Sequence, residues 1–139
     1  MTNRIKIFIV EYDCSSLITL MLWLDQFPEF DVLGTTIQSG DLREKIVELE
    51  PDVVLLDIET PGPEDVAPLR LVQSVTPPPA VLLLYHGDPA GLEGVLKQES
   101  DGQLGPERTL GDLHDAVIKA FSRRQVVFSA SLVPATLAG

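Results

Sequence analysis

The stretch "VVLLDIETPG", Val53 to Gly62, decides the fold. Four aliphatic residues in succession read as a strand covered on both faces, because a half-exposed strand alternates apolar with polar positions. The run ends on Asp57, and a Pro61-Gly62 turn breaks the chain soon after. An ionised carboxylate is costly to bury without a partner. Asp57 therefore either caps the strand in solvent or stands where something is meant to meet it.

The flanking sequence repeats the pattern. "IKIFIV" (Ile5 to Val10), "FDVLGTT" (Phe30 to Thr36) and "AVLLLY" (Ala80 to Tyr85) read as further strands, with a short fifth near Gln103 and Leu104. Between them the apolar period changes to that of a helix. Leu17, Leu20, Met21 and Leu24 form one stripe, with Ser15 or Ser16 as its cap and Pro28 after its end. Leu42, Ile46 and Leu49 form a second, opened by Gly40 and Asp41 and stopped by Pro51. Val66 to Val75 forms a third, with Pro68 tolerated in its first turn. "GDPAGLEGVLKQ" (Gly87 to Gln98) reads as a weak helix, since Gly91 and Gly94 each cost about 1 kcal/mol against alanine. Leu113, Ala116, Val117, Ala120 and Phe121 mark the last and clearest helix. Five strands alternating with five helices predict an α/β protein with a parallel sheet covered on both faces. Chemistry in such sheets sits at the C-terminal strand ends. Glu11 and Asp13 follow the first strand, Asp57 ends the third, and Tyr85 and His86 end the fourth.

A length of 139 residues suits one domain, and 45% hydrophobic with 22% charged residues is globular composition. A net charge of −11 repels nucleic acid and anionic membranes, so this segment is expected to bind neither. The single cysteine, Cys14, excludes an internal disulfide. No signal peptide or run of about 18 apolar residues is visible, and a cytoplasmic protein is expected.

Gathered strand-end acids have two natural uses beyond solvated capping. Glu11 and Asp57 can hold a hard cation such as Mg²⁺, and an aspartate can carry a phosphoryl group. The segments "IKIFIVEYD", "PDVVLLDIETPG", "AVLLLYHGD" and "SDGQL", in this order, resemble the receiver domain of two-component response regulators. The likeness is to the type that precedes a helix-turn-helix DNA-binding domain, and it covers about residues 4 to 125. It implies a flavodoxin-like, doubly wound sheet of strand order 2-1-3-4-5. It also implies Asp57 as phosphoacceptor, a sensor histidine kinase as partner, and a receiver domain over residues 1–125, with residues 126–139 as a C-terminal tail or the start of a linker to an output domain.

The departures from the family pattern matter as much. The resemblance implies two adjacent acids after the first strand, where this chain has Glu11 and Tyr12. It implies a small hydroxyl residue at Tyr85, a lysine at Pro106 and a switching aromatic residue at Gln103. Asp13 is expected to point elsewhere. With these positions altered, Mg²⁺ binding is expected to be weak, and no protein cation is expected to meet a phosphoryl group. The reading is an atypical receiver that is not an enzyme. It is expected to regulate transcription through an output domain, independently of phosphorylation, as a homodimer through the last helix. The alternatives are a conventional phosphoacceptor receiver and a flavodoxin-like domain for a small ligand. His86 is expected at the surface and Cys14 partly buried, with Trp23 in packing. Arg123 and Arg124 are expected to complement the dipole of the last helix.

Overall fold

A computed structural model of the protein describes residues 4–11, 13–36, 40–92 and 94–131, with the side chains of the last helix described to residue 125. Five parallel strands form one sheet: β1 (Ile5–Val10), β2 (Phe30–Thr36), β3 (Val53–Ile58), β4 (Ala80–Tyr85) and β5 (Gly102–Leu104). Their order is β2-β1-β3-β4-β5, the doubly wound arrangement expected. The helices are α1 (Cys14–Asp25), α2 (Leu42–Leu49), α3 (Val66–Gln73), α4 (Val95–Glu99) and α5 (Leu110–Ser131). None is long and apolar enough to cross a membrane.

Strand alternation sorts the core into two layers. Ile7, Ile9, Val53, Leu55, Leu82 and Leu84 face α1 and α5, where Leu20, Leu24, Leu113 and Val117 close over them. Phe8, Val10, Val54, Leu56, Val81 and Leu83 face the opposite layer, with Leu42 and Ile46 of α2, Leu69 and Val72 of α3, and Leu96 of α4. All six residues of β3 are buried, Asp57 included. Because successive side chains alternate across a sheet, Asp57 shares the face of Val53 and Leu55. Glu11 continues the face of Ile7 and Ile9 in the same way. The two acids therefore arrive on one side of the sheet, at the C-terminal ends of neighbouring strands, where Val10 pairs with Leu56.

Several local expectations are corrected. The cap of α1 is Asp13, not a serine: its carboxylate accepts from the Ser16 N–H at 3.2 Å and from the Ser16 hydroxyl at 2.9 Å. That pairing holds the Asp13 carboxyl below the usual range. Met21 is 42% exposed, so the buried stripe of α1 is narrower than the sequence period suggests, resting on Leu20 and Leu24. Cys14 is exposed rather than partly buried, because it opens α1 on the solvent side of the cap. The third helix stops at Gln73, two residues short of Val75. The weak helix from Gly87 splits into a 3₁₀ turn (Pro89–Leu92) and the five-residue α4. The reason is Gly94, whose φ of 84° no helix accommodates. Arg124 does not serve a helix end, since α5 continues to Ser131. Its guanidinium pairs with both oxygens of Asp101, at 3.0 and 2.9 Å, while Asp101 also accepts from the Val81 N–H.

Candidate functional site

Three residues meet at the C-terminal edge of the sheet. Glu11 follows β1, Asp57 lies in β3 and His86 follows β4. Their nearest ligand-type atoms all lie within 4.8 Å of one another, and among the described residues no other group of acids, histidines or cysteines is so gathered. Glu11 is 5% exposed and Asp57 2%. His86 Nε2 stands 2.8 Å from Asp57 Oδ1. With the proton on Nε2, the imidazole donates to the carboxylate. Glu11 Oε1 accepts from the Asp13 N–H at 2.9 Å. The remaining oxygens, Glu11 Oε2 and Asp57 Oδ2, are buried and accept no hydrogen bond from an N–H or hydroxyl group.

Arg108 completes the constellation. One of its terminal nitrogens donates to the Gly105 carbonyl at 2.8 Å, with longer contacts to the carbonyls of Leu104 and Tyr85. The other lies 3.4 Å from His86 Nε2. The guanidinium is thus pinned by the loop after β5 and held beside the Asp57–His86 pair. Asp57, His86, Arg108 and Pro106 line a cleft of about 320 Å³ that opens toward Ser15, Ser16 and Thr19 on α1. A larger hollow of about 460 Å³ lies at the opposite edge of the sheet, around Glu50, Pro51 and Pro77, away from the converging acids. Trp23 both packs against the α1/α5 core and forms part of the cleft wall.

The loops that carry these groups are held by close packing. The His86 and Gly87 N–H groups both donate to the Glu59 carbonyl. A side chain at Gly87 would overlap Thr60, and one at Gly91 would overlap the Pro61 carbonyl. The backbone after β4 therefore lies directly on the "ETPG" turn after β3, which fixes His86 relative to Asp57.

Burial sets the charge of the pocket. Burial first, and the neighbouring Asp57 carboxyl second, push the Glu11 carboxyl up to about 8, against the opposing pull of the Asp13 N–H. Burial also raises Asp57, opposed by the Glu11 carboxyl and by the positive charge of Arg108. The two carboxyls stand close enough to share the proton that Glu11 retains, which raises Glu11 and opposes the rise of Asp57. Glu11 therefore holds its proton well above the pH at which an ordinary glutamate releases it.

One sequence expectation fails here and another is incomplete. His86 is exposed, as expected, yet its ring tip lies 2.8 Å from Asp57. A protein cation does approach the pocket, from Arg108 rather than from the position counted as Pro106. The signal for His86 was present in the alternation, because Leu82, Leu84 and His86 share the face of Asp57. Arg108 lies in a loop where no periodicity operates. Tyr85 packs against the opposite layer, with its hydroxyl over Gly105, and does not reach Asp57. Gln103 donates to the Ser100 hydroxyl at 2.6 Å and to the Lys97 carbonyl at 3.2 Å, which ties β5 to α4. Tyr12 lies outside the described residues.

No protein-family model matches the chain. It is 36% identical over 120 residues to a protein-glutamate methylesterase/protein-glutamine glutaminase of Rhizobium etli, a match covering 81% of this chain and 34% of that protein. It is 32% identical over 100 residues to the transcriptional regulatory protein LnrK of Bacillus subtilis, covering 71% of this chain and 46% of that protein. Among solved structures it resembles the signal receiver domain of the response regulator NarL from Mycobacterium tuberculosis. That match has a TM-score of 0.74 and 24% identity, over 86% of this chain and 98% of the other. The chain spans between 22% and 46% of the length of the first curated relatives it matches. Sheet order, pocket position and these relatives together define the chain as a receiver domain of two-component response regulators. Within that class it carries a pocket of Glu11, Asp57, His86 and Arg108.

The receiver class implies Mg²⁺ at this edge. Mg²⁺ demands near-ideal octahedral coordination by oxygen. The pocket offers two carboxyls, and the third donor that reaches them is the nitrogen of His86. Two carboxyls suffice for Mg²⁺ with its waters, but the imidazole on Asp57 makes the donor set a better match for a transition ion than for Mg²⁺.

Proposed function

We propose that this chain is a non-catalytic signalling receiver that acts through its standing conformation. Its Asp57 is engaged by His86, and it governs transcription through an attached or partner output without requiring phosphorylation. The observation that carries this reading is the 2.8 Å contact between His86 Nε2 and a 98% buried Asp57, whose exposure is only 2%. A modification shifts a conformational equilibrium only through contacts that differ between the two states. Here the nearest donor is already bonded to the unmodified carboxylate, so a phosphoryl group must displace that bond before it gains anything. The expected ground for independence, a pocket without a cation, is replaced by this one. In the same reading the chain works in the cytoplasm, forms a homodimer through α5, and leaves nucleic acid to the output domain.

Arg108 favours a second reading. Its guanidinium can offset phosphoryl charge, so a conventional phosphoacceptor, with a histidine kinase as partner, is the alternative. Acetyl phosphate with Mg²⁺, followed by intact-mass measurement, separates the two. The wild type is expected to stay unlabelled, whereas His86→Ala gains a label that His86→Ala combined with Asp57→Asn lacks. Rapid stoichiometric labelling of the wild type at Asp57 would establish the conventional receiver instead.

A further inference from the structure

We propose that Glu11, Asp57 and His86 form a mixed oxygen–nitrogen site for a divalent transition cation of the Zn²⁺ class, in place of Mg²⁺. This goes beyond the signalling role and does not depend on phosphoryl chemistry at Asp57. Three facts carry it. The donors come from three adjacent strand ends, so the sheet itself brings them together. Two carboxyl oxygens, Glu11 Oε2 and Asp57 Oδ2, belong to residues more than nine-tenths buried and accept no hydrogen bond from any group outside the carboxyl pair. Among the described residues this is the one place where three such ligand atoms lie within 4.8 Å of one another.

The spacing suits the ion. Ligands held at about 2.0–2.2 Å from one tetrahedral centre stand roughly 3.4 Å apart. Closing a 4.8 Å limit to that value asks for side-chain movements of about an ångström, well within the reach of a glutamate. The donor types choose among metals. Imidazole with carboxylate suits Zn²⁺ and its neighbours, whereas Mg²⁺ takes oxygen and keeps its waters. The protein supplies three ligands. The fourth position faces the cleft beside Ser15 and Ser16, because Asp57 and His86 form part of its wall. Arg108 opposes the ion, since its guanidinium lies 3.4 Å from His86 Nε2. That opposition makes a distinctive expectation: removing the guanidinium tightens the site.

Titration of the full chain with ZnCl₂, CoCl₂ and MgCl₂, read by calorimetry and by the visible spectrum of Co²⁺, tests the proposal. One Zn²⁺ or Co²⁺ is expected per chain, bound more tightly than Mg²⁺. His86→Ala is expected to weaken Zn²⁺ by at least about 100-fold, since losing a direct ligand exceeds the loss of an outer partner. Glu11→Gln weakens it, Arg108→Gln strengthens it, and Cys14→Ser leaves it unchanged. Circular dichroism confirms that each variant folds. The proposal is overturned if Mg²⁺ binds as tightly as Zn²⁺, if no Zn²⁺ binds, if a folded His86→Ala keeps wild-type affinity, or if Cys14→Ser removes it. The metal titrations contain no phosphodonor and read affinity alone, so the site can fail while the labelling result stands.

Discussion

At the scale of single residues, the pocket is decided by what burial does to charge. Glu11 has an ordinary side-chain pKa in the unfolded chain, and burial beside Asp57 lifts it to about 8 in the folded one. Between those two values the folded state holds a proton that the unfolded state has released. Stability therefore falls as pH rises through that window, and the loss is complete above about 8. Asp57 is raised by burial in the same sense. Glu11→Gln keeps the shape and removes the titration. In urea unfolding between pH 5 and about pH 9, the wild type is expected to lose stability and Glu11→Gln to lose less. Parallel curves for the two proteins would mean that Glu11 is solvated and that its burial has no electrostatic consequence.

At the scale of elements, what was legible in the sequence follows from how burial writes itself into a chain. Parallel strands covered on both faces appear as nearly unbroken apolar runs, and β1, β3 and β4 read plainly for that reason. The helices with one buried face read almost as well. Legibility ends where periodicity does. α1 is apolar nearly all round, with Ile18 and Leu22 exposed at 59% and 63%, so its period could not tell Met21 outside from Leu20 inside. The segment from Gly87 to Glu99 is governed by close backbone approaches instead of a stripe. Gly91 meets the Pro61 carbonyl where no Cβ fits. Gly91→Ala forces the "ETPG" turn and the 3₁₀ turn apart, with an expected loss of about 1–3 kcal/mol, the usual range for overpacking. Thermal unfolding measures the loss. The displaced loop carries His86, so the same variant is expected to perturb the His86 ring resonances by NMR. An unchanged midpoint with unchanged His86 signals would show that the two turns are not in contact.

At the scale of the whole molecule, the site was half legible. Glu11 and Asp57 were visible as acids at the ends of apolar runs, whereas the His86–Arg108 half came from a continuation of alternation and from an unpatterned loop. That difference bears on how the domain transmits a state. A pocket in which His86 already bonds the unmodified Asp57 gives the rest of the protein little new to sense when a modification arrives, so self-association is expected to be constitutive. The net charge of −11 opposes it, because two copies repel at any shared face. Salt shortens the reach of that repulsion to about 10 Å at 0.1 M and about 3 Å at 1 M. Dimer formation across α5 is therefore expected to strengthen as salt is raised, and to be the same in the wild type and Asp57→Asn. Sedimentation velocity at low and high salt, with and without acetyl phosphate, makes the comparison. A gain in dimer that needs the phosphodonor and vanishes in Asp57→Asn would show that Asp57 ends its strand because phosphate meets it there. Equal dimer in both proteins, rising only with salt, leaves His86 as the group that meets it.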